Sequence, residues 1–159
     1  MSDRVALDDA DVRILSALQE DGTLSVAAVS EIVNLSQNAC WRRMKRLEED
    51  GVISRRVTLL NPARLGIDLI VFVSIKTSEH SEEWLSHFAE VVHNMPEVVE
   101  FYRMTGEVDY LLKLKVENMA AYDRAYKRLI SQVRITDVSS AFAMEEIKHT
   151  TALPLKATP

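Results

Sequence analysis

Six segments between residues 69 and 149 have either a strand-like or a helix-like pattern. The order of these segments limits the fold more than any other feature. Strands are predicted at residues 69–75, 97–104, 109–116 and 137–149, where apolar and β-branched side chains cluster. Helices are predicted at residues 81–94 and 118–133, with Ser81 and Asn118 as N-caps. The resulting β-α-β-β-α-β order is that of a ferredoxin-like sheet, an α+β fold.

The first of these strands predicts a partner subunit. Val71, Val73 and Ile75 alternate with Phe72, and neither face of the strand is polar. Helices cover only one face of such a sheet, so apolar residues on the other face indicate contact with a second copy of the chain. We therefore predict a homodimer.

The first fifty residues predict three short helices. Acidic residues at 8–11 suit the N-terminus of the first helix, which ends at Gly22. Ser25 caps the second helix, and Ser36 caps a third that ends at Gly51. The second and third helices are joined by a tight break, an arrangement typical of a helix-turn-helix that binds duplex DNA.

The third helix has two different faces in a helical projection. One is a narrow apolar stripe made of Cys40, Met44 and Leu47. Polar, aromatic and basic side chains occupy the opposite side: Asn38, Trp41, Arg42, Lys45 and Arg46, with Arg43 on the flank. The helix therefore buries one face and presents the other for contact with DNA.

The net charge of −5 is unevenly distributed along the chain. Residues 37–64 carry seven basic and three acidic side chains, a net charge of +4. The segments on either side, residues 1–36 and 65–159, have net charges of −5 and −4. One basic patch on an acidic protein predicts oriented contact with phosphates, although a solvated basic face on a three-helix bundle is the alternative.

Residues 54–59 alternate like a short strand pair or wing beside the basic helix. Phosphate contacts are predicted for Arg43, Arg55 and Arg56. Base-edge contacts are predicted for Asn38, Arg42 and Lys45. The predicted DNA-binding set is completed by Ser36, Gln37, Trp41 and Arg46.

The sequence offers little chemistry for an enzyme. The single cysteine, Cys40, lies on the apolar stripe and is interpreted as a structural thiol rather than a redox sensor. The four histidines lack metal-ligand spacing, and no nucleophile, phosphate loop or carboxylate pair is recognisable. We therefore predict no catalysis, metal or cofactor. The lack of an apolar run of about 18 residues and of a signal peptide predicts a cytoplasmic protein without a membrane partner.

The loop at residues 104–110 is the second candidate site. Gly106 lies between two predicted strands and is followed by Asp109, which offers an acceptor for an ammonium group beside free backbone groups. The alternative is a plain β-turn, in which Gly106 supplies a positive φ and Asp109 caps the turn.

Several motifs in order resemble the leucine-responsive/asparagine regulator (Lrp/AsnC, "feast/famine") family. They lie at residues 35–40, 46–48, 51–53, 59–62, 72–73, 106–112 and 144–148. The resemblance extends from about Leu7 to Leu155. A branch of the family linked to cysteine response is similar at residues 81–84, 95–98 and 140–145.

The resemblance implies a transcriptional regulator with a winged helix-turn-helix at residues 1–60, a linker at 61–67 and a RAM/ACT-like ferredoxin domain at 68–159. That second domain would dimerise, assemble into tetramers or octamers and bind a small amino acid, possibly cysteine, between dimers. Effector-responsive positions carried over are Gly106, Asp109, Met119, Ala141, Phe142 and Ala143. Neighbours that we add to this set are Tyr102, Met104, Thr105 and Val108.

Two other functions stay open at this point. An architectural protein that wraps DNA with little effector dependence is one, because an oligomer with several reading heads can bend DNA with modest specificity. A small-molecule binder or enzyme of ferredoxin-like fold with an incidental helical domain is the other, and the sequence supplies no catalytic groups for it.

Overall fold

The computed structural model describes residues 5–158, which separate into two units. Residues 5–59 and 148–158 make a helical unit, and Leu60–Ile147 makes a sheet unit. The first unit contains the helices α1 (Asp9–Glu20), α2 (Val26–Val33) and α3 (Gln37–Glu49).

Side-chain caps define the start of each helix in the helical unit. Asp8 accepts from the Asp11 N–H and begins α1, where the Asp11 side chain accepts from the Asp8 N–H to complete a capping box. Ser25 and Ser36 cap α2 and α3 as predicted. Between them Asn34 adopts a φ of 54°, a left-handed conformation that asparagine tolerates better than most residues. The predicted tight break between the two helices is therefore confirmed.

The three helices bury one shared apolar core. Its fully buried members are Ile14, Leu15, Val29, Val33, Cys40, Met44 and Leu47. Val52 and Ile53 pack against this core directly after α3, and the Ile53 N–H donates to the Leu47 carbonyl at 3.0 Å. The chain after α3 is therefore folded back onto the helix that precedes it.

The strand pair predicted at residues 54–59 is not formed, so this prediction is wrong. Residues 54–60 are exposed and form no regular secondary structure, and no described segment pairs with them. An alternating pattern predicts only that a segment can be a strand, whereas an actual strand needs a partner for its backbone groups.

The C-terminal residues 148–158 belong to the helical unit, although the sequence analysis placed them in the second domain. Thr158 and Leu7 exchange two hydrogen bonds, of 2.7 and 3.1 Å. Gln19 and Leu153 exchange two more, of 2.6 and 3.2 Å, and Leu155 packs against the helical core. The last residues of the chain are therefore part of the fold of the helical unit.

The sheet unit confirms the predicted ferredoxin-like order. It begins with a 3-10 helix, Pro62–Leu65, inside the segment predicted as a linker. The elements that follow are β1 (Leu69–Lys76), α4 (Glu82–His93), β2 (Val98–Arg103), β3 (Tyr110–Val116), α5 (Met119–Gln132) and β4 (Asp137–Phe142). The sheet order is β2-β3-β1-β4, and every neighbouring pair is antiparallel.

The last strand is shorter than the predicted 137–149. It ends at Phe142, opposite Val71 of β1, and Ala143 makes one further hydrogen bond to the Ile70 carbonyl at 3.0 Å. Because β1 begins at Leu69, residues beyond 143 have no strand to pair with. The side-chain periodicity of residues 137–149 contains no information on where the neighbouring strand β1 begins, so it cannot predict where β4 ends.

One face of the sheet carries the core of this unit. Val71, Val73 and Ile75 are buried there against Trp84 and Phe88 of α4. The other face carries Phe72 and Ser74 of β1 beside residues of β3, and it is more polar than predicted. Lys113 and Lys115 lie on this face, paired with Glu100 at 3.1 Å and with Glu146 at 3.9 Å. No helix of the sheet unit covers this open face.

Candidate functional site

The exposed face of α3 is the candidate nucleic-acid interface. Cys40, Met44 and Leu47 are buried, and all five residues predicted to face outward are exposed: Asn38, Trp41, Arg42, Lys45 and Arg46. The amphipathic projection is therefore confirmed. The seven residue steps of helix from Asn38 to Lys45 rise about 10 Å. This rise matches about three base-pair steps in a major groove wide enough for a helix.

Trp41 gives this face an aromatic side chain that is half exposed. Lys45 lies over its ring, with the ammonium nitrogen 5.4 Å from the ring centroid. Lys45 also pairs with Glu49 one turn later at 3.6 Å. A rigid aromatic beside a cation offers both an apolar contact and a charge to a ligand in front of α3.

Arg43 and Arg46 are held by acidic residues at the N-terminus of α1. Arg43 Nη1 donates to Asp8 Oδ2 at 2.7 Å and to Asp11 Oδ1 at 2.8 Å. Arg46 Nη2 donates to Asp11 Oδ2 at 2.5 Å. The Asp11 N–H and then the Arg43 guanidinium hold the pKa of Asp8 below its usual range. The pKa of Arg43 is raised by its hydrogen bonds to Asp8 and to Asp11.

The remaining arginines of the predicted interface differ in whether they make an ion pair. Arg56 pairs with Glu48 at 2.8 Å. Arg42 and Arg55 are exposed and make no ion pair with any residue from 5 to 158. Arg42 also lines an open pocket of about 300 Å³ with Asp8, Ala39, Arg43 and Arg46. Exposed basic residues that looked equivalent in the sequence are therefore of two kinds, paired and unpaired.

The predicted set also includes Ser36 and Gln37 at the start of α3. Both are exposed, and Ser36 accepts from the Ala39 N–H at 3.3 Å. Helix N-termini present unpaired N–H groups that bind phosphate oxygens. This end of α3 is therefore compatible with a backbone contact to DNA.

Cys40 does not contribute a reactive group. It is fully buried, its Sγ lies 3.7 Å from Met44 Sδ, and burial raises the pKa of its thiol. A raised pKa disfavours the thiolate that redox chemistry requires. The structural interpretation of this cysteine is supported.

The loop after β2 is tied to the sheet at both ends. The Met104 N–H donates to the Asp109 carbonyl at 2.8 Å, and the Asp109 N–H donates to the Ile75 carbonyl at 3.0 Å. Asp109 Oδ2 accepts from the Thr77 N–H at 2.8 Å. Gly106 has a φ of 102°, in the region that favours glycine. The loop is thus a fixed turn whose tip faces outward.

The predicted effector residues beside this loop are mostly exposed. Tyr102, Met104 and Thr105 are exposed, and Val108 is half-buried. Tyr102 donates a hydrogen bond to Glu100 at 2.9 Å, and this interaction raises the pKa of the Tyr102 hydroxyl. These side chains surround the fixed turn and leave its tip open.

The other predicted effector residues form a separate group. Met119 begins α5, and Ala141, Phe142 and Ala143 lie at the end of β4. Phe142 packs edge-on against Tyr122, with ring centroids 5.2 Å apart, and Tyr122 is hydrogen-bonded to Ser140. Tyr122 was not predicted as a site residue, because its side chain reaches β4 only through the tertiary fold.

The two groups lie at opposite ends of the sheet. Tyr110, which follows the loop, pairs with Ile75, whereas Val116, near Met119, pairs with Leu69. The six residue steps along β3 from Tyr110 to Val116 span about 20 Å. One chain therefore does not bring the ten predicted effector residues together around a molecule as small as an amino acid.

The structure also contains an open groove that none of the predicted site residues lines. It has a volume of about 720 Å³ and is lined by the end of α5, residues 131–136 and the start of β4. No periodicity or motif marks these residues, since the groove arises from the path of the connection over the sheet. Among residues 5–158, no group of three His, Cys, Asp or Glu side chains is arranged to hold a metal ion.

In the described part of the chain, no helix is both long and apolar enough to cross a membrane.

Comparison with known proteins assigns a domain type to each half of the chain. Residues 70–153 match the family model described as the Lrp/AsnC ligand binding domain, and residues 7–54 match the model described as winged helix-turn-helix DNA-binding. The Glutamate uptake regulatory protein of Zymomonas mobilis is 55% identical over 152 residues, which cover 96% of this chain and 93% of that protein.

Solved structures show the same architecture. An AsnC family transcriptional regulator from Agrobacterium tumefaciens is 58% identical and superposes with a TM-score of 0.91, over 93% of this chain and 97% of that one. A transcriptional regulator from Neisseria meningitidis in complex with L-Met is 37% identical, with a TM-score of 0.88 over 93% and 96% of the two chains.

Proposed function

The chain belongs to the Lrp/AsnC family of DNA-binding transcriptional regulators, and we propose that it reads specific operator sequences with α3 under the control of an amino acid. The observation that carries this proposal is the outward face of α3. Asn38, Arg42 and Lys45 lie on one exposed side of the helix, above a buried stripe that fixes its orientation. These three side chains supply the donors and acceptors for base edges in the major groove.

Phosphate contacts position this helix on the duplex. The N-terminus of α3 at Ser36 and Gln37 offers backbone N–H groups, and Arg55 offers an unpaired guanidinium directly after the helix. The basic side chains of the predicted DNA-binding set that are already ion-paired are Arg43, Lys45, Arg46 and Arg56. Trp41 makes an apolar contact with a base or sugar. A regulator of this kind acts where the chromosome lies, so a cytoplasmic location is part of the proposal.

The effector site is completed by a second chain. The loop with Gly106 and Asp109 lies about 20 Å along the sheet from Met119 and Phe142, so both groups touch one amino acid only when they come from different copies. The open sheet face, with Phe72 at its centre, is the surface through which two copies form the homodimer. Contacts between dimers then build a tetramer or octamer.

Within this composite site Asp109 binds the ammonium group of the amino acid. Its Oδ2 already accepts from the Thr77 N–H, so the carboxylate is held in one orientation at the base of the turn. Phe142 provides an aromatic ring, a favourable neighbour for sulfur. We therefore propose cysteine as the first effector to test and methionine as the second, and the Neisseria meningitidis regulator with L-Met supports a sulfur-containing ligand.

The proposal is tested by selecting genomic DNA fragments that the full-length protein retains and titrating one of them in a mobility-shift assay. Unrelated DNA of the same length is the control, and each titration is repeated with cysteine, methionine, leucine or glutamate. We expect one preferred sequence and a change in affinity or complex size with at least one amino acid. Preference for DNA without any amino acid effect would favour the architectural, DNA-wrapping function instead.

Replacing Asp109 by Asn is expected to weaken the effector response while leaving DNA affinity without effector unchanged. The amide still accepts from the Thr77 N–H, but it loses the charge that binds an ammonium group. A charged hydrogen bond contributes about 1.5–3 kcal/mol, so the effector concentration at half response should rise about 10- to 150-fold. The same measurement on Glu107→Gln, an exposed carboxylate in the same loop, is the matched control. An unchanged midpoint in Asp109→Asn would remove Asp109 from the site.

A further inference from the structure

Two arginines of α3 are already bound to carboxylates of their own chain. Asp11 is only 1% exposed, and each of its carboxylate oxygens receives a guanidinium: Oδ1 from Arg43 and Oδ2 from Arg46. Oδ2 also accepts from the Asp8 N–H at 3.2 Å, and the Asp8 side chain receives Arg43 in turn. Two guanidiniums and two carboxylates therefore form one cluster of zero net charge, and a third carboxylate, Asp50, lies at its edge with Oδ2 3.9 Å from Arg46 Nε.

This cluster is attached to α3 on the side that faces α1. Arg43 and Arg46 are three residues apart, so both side chains project from the same flank of the helix. Arg42 lies beside that flank and makes no ion pair with residues 5–158. The fold thus separates the arginines of one helix into a bound pair and a free one.

Binding to DNA of any sequence depends on how many phosphates the cations of a protein neutralise. A guanidinium that is already paired with a carboxylate gains less Coulomb energy from a phosphate, because the carboxylate offsets its positive charge and repels the phosphate. We propose that Asp8 and Asp11 raise the sequence specificity of this regulator by neutralising Arg43 and Arg46, which lowers its affinity for non-operator DNA. The inference rests on the proposed operator binding by α3.

The capping box of α1 is built from two aspartates, Asp8 and Asp11. A serine or asparagine also caps a helix, but it carries no charge to offset an arginine. Specificity is a ratio of two affinities, and it increases when contacts that are common to all DNA sequences are weakened. The base-reading side chains on the outward face are not part of the cluster, so neutralising the pair leaves them free.

The test measures the salt dependence of non-operator binding by the full-length protein. Asp8→Asn keeps an oxygen that accepts from the Asp11 N–H, so the cap of α1 remains, while one charge that holds Arg43 is lost. Each freed arginine that reaches a phosphate adds about 0.9 to the slope of log K against log salt and tightens binding about fivefold at about 0.15 M salt. We expect a steeper slope, tighter non-operator binding and a lower ratio of operator to non-operator affinity.

Asp11→Asn should act in the same direction with a larger effect, because it removes the one carboxylate that both arginines share. Since Asp11 is buried, its variant is compared with the wild type in thermal unfolding before the DNA titrations. Asp8→Asn, which is at the surface, decides the outcome if Asp11→Asn does not fold. Glu20→Gln is the matched control, as it removes one exposed carboxylate at the other end of α1 and should leave the slope unchanged.

A double variant tests whether the tighter non-operator binding comes from the side chain of Arg43. In Asp8→Asn only Asp11 still offsets the charge of Arg43. If the tighter binding of Asp8→Asn comes from this unmasked charge, adding Arg43→Gln should restore the wild-type slope. A wild-type slope in Asp8→Asn, or a shallower one, would overturn the proposal, and the shallower slope would mean that the aspartates aim Arg43 at a phosphate. Absence of any operator preference in the wild type would instead contradict the proposed function.

Discussion

Replacing Arg42 by Ala should cost about 1–3 kcal/mol of operator binding free energy, which is a loss of about 5- to 150-fold in affinity. Arg42 lies in the middle of the exposed face of α3, and no ion pair with residues 5–158 has to be broken before its guanidinium meets a guanine edge. A bidentate contact of this kind discriminates against the wrong base by a similar amount. The substitution should therefore also relax the sequence preference at one base pair.

The measurement is fluorescence anisotropy with the selected operator and with versions of it substituted one base pair at a time. Arg124→Ala in α5 is the matched control, because it removes an exposed arginine from the sheet unit and should not alter operator affinity. A loss that is equal for all sequences, with a shallower salt slope, would show that Arg42 binds a phosphate rather than a base.

Removing residues 148–159 should destabilise the helical unit by about 2–3 kcal/mol. The described part of this tail contributes four hydrogen bonds to Leu7 and Gln19, and Leu155 packs on the helical core. The entropy regained by the tail on release offsets part of this loss. For a unit of this size, the melting temperature should fall by about 10 °C or more.

Tryptophan fluorescence can follow the helical unit alone. The chain has two tryptophans, Trp41 in α3 and Trp84 in α4, so a Trp84→Phe background leaves Trp41 as the reporter. Leu155→Ala should reproduce part of the shift, whereas Leu153→Ala, at a largely exposed position, should not. An unchanged melting temperature in the truncated protein would show that the tail only rests on the helices.

The predictions that the structure confirms rest on local patterns. The projection of α3 separated Cys40 and Leu47 from Arg42 and Lys45 correctly, since helical geometry alone decides which residues share a face. The Ser25, Ser36, Ser81 and Asn118 caps were found because a cap bonds to a backbone only three residues away. The order of the strands and helices in the sheet unit followed from the same kind of signal.

The incorrect predictions concern contacts between distant residues. Strand formation at 54–59 and the extension of β4 to 149 depended on partners that the fold does not supply. The end of the chain was placed in the sheet unit because no local pattern links Thr158 to Leu7. The ten effector positions stay a prediction, and within one chain β3 separates them into two groups at opposite ends of the sheet.

The basic helix α3 shows, within one element, what the local sequence determines and what the tertiary structure determines. Its sequence alone determined that α3 is an amphipathic helix with a basic outward face, because residues up to four positions apart decide periodicity and capping. Only the tertiary structure decided which of its arginines are free to meet DNA. Arg43 and Arg46 are bound by Asp8 and Asp11, which are 32 to 35 residues away in sequence. Packing of α1 against α3 brings the carboxylates to them, and no pattern within α3 reports that contact.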